Sequence, residues 1–245
     1  MTVRYAVVFP MTAYRFHNET GNLHALKLIK DGAIGDPRAF SSLFSFKADP
    51  DKHRLQASHW RGPLQDIGTY CLNAVRHVFE DEPAGVSAAR NTVDDPRFSE
   101  VEESIAATLM FPTGRIGQFI ASFSAEQPDM FRVAGTEGKI AVESGFGFQT
   151  PTIVRLTRGR GVVSHQFPQT EQFAGQTAYF SECILKREAP ETDGEEGLAD
   201  VAILIAVEKA AQAGKSQPIN LKTRSRHPSP DMARIYNPTA TRLML

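Results

Sequence analysis

The spacing of apolar residues between Pro63 and Phe79 predicts an amphipathic helix that follows directly on a loop. The positions that repeat at helical spacing, and should form its buried side, are Leu64, Ile67, Cys71, Leu72, Val75, Val78 and Phe79. Pro63 suits the first turn of a helix, where its missing N–H is not needed. Asp66 and Tyr70 are four residues apart, so we expect them to share one face just after the helix begins.

The same periodicity predicts three further helices, over residues 23–33, 173–186 and 197–213. Thr20 or Asn22 is the expected N-cap of the first. The expected inner residues are Leu23, Leu26 and Ile29 in the first helix, Phe173, Thr177, Phe180 and Ile184 in the second, and Leu198, Val201, Leu204, Ile205 and Val207 in the third.

Short apolar or alternating runs separated by turns predict a sheet. The strand candidates are residues 4–10, 39–47, 86–91, 103–111, 115–124, 130–135, 139–143, 153–157 and 162–167. Tight turns at 112–114, 136–138 and 158–161 join consecutive candidates, which favours antiparallel pairing. The predicted fold class is therefore α+β, with an open, mainly antiparallel sheet and helices packed on one face.

Composition indicates a globular protein with a core, since 41% of the 245 residues are apolar and 22% are charged. The net charge of −1 and the lack of a basic cluster argue against nucleic-acid and membrane partners. The sequence has no apolar run of membrane-spanning length and no secretory signal, so we expect a cytoplasmic protein. We expect one domain over 11–222, preceded by a lead-in of separate origin (1–10) and followed by a surface tail (223–245).

Two kinds of site are not expected. The seven histidines are scattered with no cysteine or carboxylate cluster beside them, so the sequence predicts no metal site. Cys71 and Cys183 fall in predicted helices and should be reduced thiols. The glycine pairs at 145–147 and 159–161 look like dinucleotide loops, but each lies between strand candidates and offers no helix N-terminus to a pyrophosphate.

The pair Asp66 and Tyr70 is the best candidate for chemistry. A carboxylate and a phenol side by side suit proton transfer to a substrate hydroxyl or carbonyl. A purely structural interpretation stays open, in which Asp66 favours the positive end of the helix and Tyr70 covers the core with its hydroxyl in water.

Four segments of the chain resemble, in order, the C-terminal domain of the glucose–fructose oxidoreductase, inositol dehydrogenase and rhizopine-catabolism (Gfo/Idh/MocA) family. The segments are Ala13–His17, Ile34–Arg38, Gly62–Asn73 and Gln172–Asp200. The resemblance covers residues 11–221. A tyrosine four residues after Asp66 is typical of the glucose–fructose oxidoreductase-like branch, whereas the inositol dehydrogenase branch has a histidine there.

The resemblance implies an NAD(P)-dependent sugar or polyol oxidoreductase, in which hydride passes between a sugar carbon and nicotinamide. Tyr70 would be the acid/base on the sugar hydroxyl, and Asp66 would orient the substrate or support the proton transfer. Gln172 and Asp200 are interpreted as structural. The sheet would bind the sugar and, through its face, form a homodimer or higher oligomer.

The resemblance also implies that Tyr14 and Arg15 line the cleft near nicotinamide and substrate, with a weak contribution to cofactor binding. The alternative is an aromatic residue at a strand end next to a solvated arginine. Trp60 and Arg61 would form part of the cleft wall that contacts substrate, and simple loop packing is the alternative for both.

Family members carry a Rossmann domain ahead of this one, ending in a Glu-Lys-Pro element whose lysine lies beside the catalytic tyrosine. Neither element occurs in the 245 residues. We therefore expect a truncated or split oxidoreductase that binds NADP or NAD weakly or not at all by itself, with a separate Rossmann-domain polypeptide as one partner. A non-catalytic sugar-binding or dimerisation module, or a degenerate fragment, are the alternatives.

Overall fold

The computed structural model describes residues 9–49, 53–60, 62–91, 93–126 and 129–238, and these form one nine-stranded sheet. The strands are β1 (Pro37–Ser45), β2 (Gly85–Asn91), β3 (Ser104–Met110), β4 (Ile116–Ser122), β5 (Asp129–Gly135), β6 (Lys139–Glu143), β7 (Thr152–Arg158), β8 (Gly161–Phe167) and β9 (Gln217–Pro218). Their order is β8-β7-β6-β5-β1-β4-β3-β2-β9. Neighbours are antiparallel except β1 and β4, which pair in parallel.

The helices are α1 (Thr20–Lys30), α2 (Thr69–Phe79), α3 (Gln172–Lys186) and α4 (Gly194–Ala213). A π-helical turn, Leu64–Gly68, leads into α2, and short 3₁₀ helices cover Arg15–Asn18, His53–Leu55, Ala57–His59, Pro96–Phe98 and Pro230–Met232. None of the helices in the described ranges is long and apolar enough to cross a membrane.

The sheet has one covered face and one open face. In β4, Gly117 and Phe119 are buried while Ile116 and Ile120 are 47% and 45% exposed. Helices α1, α2 and α4 pack on the covered face, against β6 and β7, β1 and β4, and β2 respectively. The predicted α+β class, with helices on one face of an open and mainly antiparallel sheet, is confirmed.

Some local predictions need correction. The N-cap of α1 is Glu19, whose carboxylate accepts hydrogen bonds from the N–H groups of Gly21 and Asn22 (2.9 and 2.6 Å). Thr20 and Asn22 therefore lie inside the helix. The predicted inner residues Ile184, Leu198, Val201 and Ile205 are exposed (54%, 69%, 37% and 39%). The buried residues of helix α3 are instead Gln172, Gly175 and Cys183. Helix α4 has apolar residues on both sides, so the apolar periodicity of its sequence does not identify which side is buried.

The predicted first strand falls largely on residues 4–8, outside the described residues, and residues 9 and 10 are not in a strand. Cys71 and Cys183 are both buried free thiols, as expected. Burial raises the pKa of the Cys71 thiol to about 12, which makes it a core residue and a poor nucleophile.

Candidate active site

Tyr70 lies in the first turn of α2, directly after the π-helical turn. The sequence predicts a regular helix from Pro63, but the Thr69 N–H bonds to the Leu64 carbonyl, five residues back, and the Thr69 hydroxyl bonds to the Gln65 carbonyl (2.8 Å). π-Helical turns inside helices occur often at functional sites. All seven residues of the predicted stripe are buried nonetheless.

The Tyr70 ring is half-buried in an aromatic pocket. Its centroid is 5.8 Å from that of Phe44, 6.2 Å from that of Phe16 and 6.5 Å from that of Phe146. The Arg15 guanidinium carbon lies 4.8 Å from the same centroid. Among the described residues, none hydrogen-bonds the Tyr70 hydroxyl, so this group is available to a ligand.

Arg15 is buried, with 6% of its surface exposed, so the alternative of a solvated arginine is wrong. Its two terminal nitrogens donate to the Gln172 side-chain oxygen and to the Phe146 carbonyl, both at 2.7 Å. The same guanidinium lies over the Phe148 ring at 4.8 Å. Arg15 thus joins its own 3₁₀ helix to α3 and to the loop between β6 and β7, and brings a fixed positive charge beside Tyr70. The hydrogen bond from Arg15 gives Gln172 a partner within the chain, and its structural role stays a prediction.

Tyr14 turns away from this pocket. It is 8% exposed and its hydroxyl donates to Asp200 of α4. Burial, followed by the Asp200 carboxylate, raises the pKa of the Tyr14 phenol far above its usual value. Its hydroxyl faces the interior, and contact of Tyr14 with substrate or cofactor stays a prediction.

Asp66 forms an ion pair with Arg54, and both side chains are partly exposed (29% and 24%). Arg54 also lies over the Phe46 ring, at 5.6 Å from its centroid. No hydrogen bond joins Asp66 to Tyr70 in the described part of the chain. Asp66 thus pairs with Arg54, whereas the Tyr70 ring packs against aromatic rings and Arg15. Their joint action in catalysis stays a prediction.

Trp60 is 42% exposed and has a left-handed backbone (φ 52°). Its indole N–H donates to Glu208 of α4 (2.8 Å), and the Gln65 amide donates to the same oxygen. Trp60 is thus held beside α4 with part of its ring open to solvent. Arg61 lies outside the described residues.

A buried polar network behind α2 was not predicted from the sequence. Arg76, 2% exposed, donates to both oxygens of Glu82 (2.6 Å each), to Glu196 (2.8 Å) and to Asp200. The Asn73 amide nitrogen donates to Glu196 and Asp200 (2.7 and 2.9 Å). These side chains come from two segments, residues 73–82 and 196–200, that are more than a hundred positions apart, so no local spacing indicates that they meet. Asp200 was expected to be structural, and its partners agree with that role.

His17 completes the network as a doubly protonated imidazole. Its Nδ1 lies 2.9 Å from a Glu191 carboxylate oxygen and its Nε2 lies close to the Asn73 amide oxygen. Both neighbours are acceptors, since the Asn73 nitrogen already faces carboxylates, so both ring nitrogens must carry hydrogen. Burial by itself lowers the pKa of His17, but the Glu191 carboxylate and these hydrogen bonds raise it above the usual value.

One group of three such side chains in the described residues has ligand atoms close enough for a metal ion: His17, His77 and Glu191, within 4.8 Å of one another. A metal ligand must offer a bare ring nitrogen, whereas both nitrogens of His17 donate hydrogen bonds. The three side chains are therefore better explained as an ion pair with a neighbouring imidazole.

Neither the two glycine pairs nor the N-termini of α1, α3 and α4 offer a cradle for the pyrophosphate of a dinucleotide. The glycine pairs at 145–147 and 159–161 lie between strands, as predicted. The N-termini of α1, α3 and α4 are capped by the carboxylates of Glu19, Glu171 and Asp193. A carboxylate at each of these termini occupies the N–H groups that a pyrophosphate would need and repels its charge.

Comparison with known proteins identifies the type of domain. Residues 22–141 match the family model described as the GFO/IDH/MocA C-terminal domain. The D-xylose 1-dehydrogenase [NADP(+)] of Haloarcula marismortui is 31% identical over 208 residues, which are 82% of this chain and 58% of the relative. The D-xylose 1-dehydrogenase (NADP(+)) 2 of Haloferax volcanii is 26% identical, over 82% of this chain and 61% of the relative.

A solved structure agrees with these relatives. The aldose–aldose oxidoreductase of Caulobacter crescentus, complexed with glycerol, superposes with a TM-score of 0.80 at 33% identity, over 86% of this chain and 64% of that one. The chain thus spans about three fifths of the length of the proteins that it matches.

Proposed function

Because this chain belongs to the GFO/IDH/MocA oxidoreductase family, we propose that it supplies the sugar-binding and proton-transferring part of an NAD(P)-dependent sugar oxidoreductase. An aldose is the substrate class that we favour, since the relatives include D-xylose dehydrogenases and an aldose–aldose oxidoreductase. Residues 11–222 are the proposed substrate domain. The observation that carries the proposal is the position of the Tyr70 ring in an aromatic pocket beside the Arg15 charge.

Tyr70 is the proposed acid/base at a sugar hydroxyl. A phenol hydroxyl can both donate and accept a hydrogen bond, which suits proton transfer at a sugar hydroxyl. Arg15 supplies a charge within the chain itself, 4.8 Å from the ring. The buried ring of Phe146 excludes water from one side of the phenol, and the partly buried ring of Phe44 offers an apolar surface to the C–H face of a sugar.

The proposed role of Asp66 is to orient substrate together with Arg54. Their ion pair is partly exposed and presents hydrogen-bond acceptors and donors at the same place, a combination that suits sugar hydroxyls. Trp60 and Arg61 are proposed to extend the wall of the cleft, and Tyr14 to support it from inside.

The dinucleotide is proposed to be held mainly by another domain, in a longer protein or on a separate polypeptide, because the described residues do not fit its phosphates. The residues of this chain would bind the sugar and move its proton. Isothermal titration of the chain with NADP⁺ and with NAD⁺ should show weak binding or none, and a dissociation constant of about 10 µM or tighter would contradict this expectation.

The acid/base proposal is tested by Tyr70→Phe. With a dinucleotide-binding domain of a relative supplied in trans, the substitution should lower turnover of D-xylose by roughly 10²–10⁴, since general acid–base catalysis contributes about that much. Tyr236→Phe, which changes an exposed tyrosine, is the matched control. Equal turnover in the Tyr70 variant and the control would reassign Tyr70 to packing.

Sugar binding measured alongside turnover separates the enzyme from a non-catalytic module. Isothermal titration with D-xylose should show binding that Tyr70→Phe weakens only a few-fold, because a neutral hydrogen bond contributes about 0.5–1.5 kcal/mol. Binding without turnover, even with the second domain present, would favour the module.

We also propose that the open sheet face forms a homodimer. Met110, Ile116 and Ile120 are 37%, 47% and 45% exposed there, and the small residues Ala106 and Ala89 continue the surface from Ile120 across β3 and β2. Light scattering should detect a dimer that Ile120→Glu dissociates, whereas Val162→Glu, on the edge strand β8, should leave it intact. A monomeric wild-type chain would rule the dimer out.

A further inference from the structure

His77 and His227 face each other through the same ring nitrogen. His77 lies on α2 and is 4% exposed, whereas His227 lies in the segment that follows β9. Their Nδ1 atoms are 3.2 Å apart and their rings are nearly perpendicular (81°). This contact fastens the C-terminal segment to the back of the helix that carries Tyr70.

The other nitrogen of each ring has a fixed role. His77 Nε2 lies 3.1 Å from a Glu196 carboxylate oxygen, and His227 Nε2 lies 3.2 Å from the Arg224 carbonyl. Both neighbours are acceptors, so each Nε2 carries a hydrogen. In neutral imidazoles both Nδ1 atoms are then bare, and two lone pairs at this separation repel each other unless a cation lies between them.

We propose that His77 and His227 form a two-histidine site for a divalent transition metal ion such as Zn²⁺, with both Nδ1 atoms as ligands. Two nitrogens bound to one tetrahedral zinc at about 2.0–2.1 Å lie about 3.3 Å apart, close to the separation found between these two rings. Histidines that bind metals almost always donate their other N–H to a carboxylate or a backbone carbonyl. His77 and His227 provide one example of each arrangement.

The surroundings of the pair favour a cation and leave space for water ligands. Both histidines line a crevice of about 290 Å³ beside α1 and α2, from which water can complete the coordination. The adjoining network holds four buried carboxylates, those of Glu82, Glu191, Glu196 and Asp200. Three cationic groups pair with these carboxylates: the guanidiniums of Arg76 and Arg224 and the His17 imidazolium. Four negative charges therefore face three positive ones, and one negative charge is left for a bound cation to offset.

Zinc titration of the tag-free, chelator-treated chain tests the site. Isothermal titration with ZnCl₂ should show one Zn²⁺ per chain, and His227→Gln should weaken this binding at least about tenfold. The matched control is His165→Gln, which removes one histidine of the other pair, His24 and His165 (ring centroids 5.1 Å apart). The control should bind zinc within about twofold of the wild type, given the usual scatter of such titrations.

A second measurement uses the wild-type chain, so it tests zinc binding even if the His227 variant does not fold. Long-range ¹H–¹⁵N spectra of the histidine rings should show zinc-dependent shifts at Nδ1 of His77 and His227. Zinc should also raise the unfolding temperature of the wild type but not of the His227 variant. No binding at free zinc up to about 100 µM, or equal binding by the His227 variant, would overturn the proposal and leave a proton between the rings.

Discussion

The guanidinium carbon of Arg15 lies 4.8 Å from the centroid of the Tyr70 ring, and both groups sit on the same aromatic cluster. Arg15→Met removes the charge and leaves two buried acceptors, on Gln172 and Phe146, without their donor. Each orphaned acceptor costs about 1–3 kcal/mol, so we expect a loss of about 2 kcal/mol or more in the free energy of unfolding, measured in urea.

Arg15→Lys keeps the charge but not the planar fork that reaches both acceptors. Its loss of stability should fall between those of the wild type and the methionine variant. If both substitutions cost less than about 0.5 kcal/mol, Arg15 does not hold the loop between β6 and β7 in place, and its position beside Tyr70 has no structural support.

The sheet could be predicted because the alternation of apolar and polar residues along its strands follows the buried and exposed positions. In β4 exposed and buried residues alternate from Ile116 to Ala121, and glycine turns such as Pro112–Gly114 separate the strands. The resemblance to a known family then directed attention to Tyr70. Neither argument needed contacts between distant residues.

Other features depend on contacts that the sequence does not reveal. The cap of α1 comes from Glu19, a residue type less common at that position than Thr20 or Asn22. The network around Arg76 joins residues more than a hundred positions apart, and Asp66 meets Arg54 across a loop. In the π-helical turn before Tyr70, the Thr69 N–H bonds to the carbonyl five residues back, at Leu64, and not to the one four residues back as in an α-helix. The apolar periodicity of the sequence does not reveal this difference.

Gly117 lets α2 lie close to the sheet. A Cβ atom at Gly117 would come within 2.6 Å of a Val75 methyl group. Gly117→Ala should therefore lower the free energy of unfolding by about 1–3 kcal/mol, the usual cost of overpacking. Adding Val75→Ala makes room, so the double variant should be at least about 0.5 kcal/mol more stable than the sum of the single effects predicts. Strict additivity in urea melts would contradict the contact.

His24 should make the chain less stable as the pH falls. Burial, followed by the charges of His165 and Lys27, lowers the pKa of His24 below its usual value. The unfolded chain then binds more protons than the folded chain below about pH 6.5, so stability decreases with falling pH through that window and the loss is complete below the folded pKa.

The variant His165→Gln removes one of the two positive charges that act on His24, the other being that of Lys27. The variant should therefore lose less stability between about pH 7 and pH 5 than the wild type. Thermal melts at several pH values measure the difference. His53→Gln, which changes an exposed histidine, serves as the control, and an equal pH dependence in all three proteins would mean that the histidine pair does not interact.

Arg76 and Arg97 allow a direct comparison of a buried and an exposed ion pair. Arg76 is 2% exposed and bonds to Glu82, Glu196 and Asp200, whereas Arg97 pairs with Asp95 at 2.7 Å with a side chain that is 35% exposed. Arg76→Met leaves three buried carboxylates without their main donor and should cost about 3–5 kcal/mol of unfolding free energy. Arg97→Met should change the free energy of unfolding far less, since water already solvates both charges.

Because Arg76 joins α2 to α4, its loss should also speed amide hydrogen exchange in both helices, which the Arg97 variant should leave unchanged. Glu82→Gln is the milder variant if the methionine variant does not fold, since it keeps an acceptor for Arg76 and should cost less. If Arg76→Met and Arg97→Met lower stability equally, the buried network contributes no more than a surface pair, and it cannot be what fixes α2, and with it Tyr70, against α4.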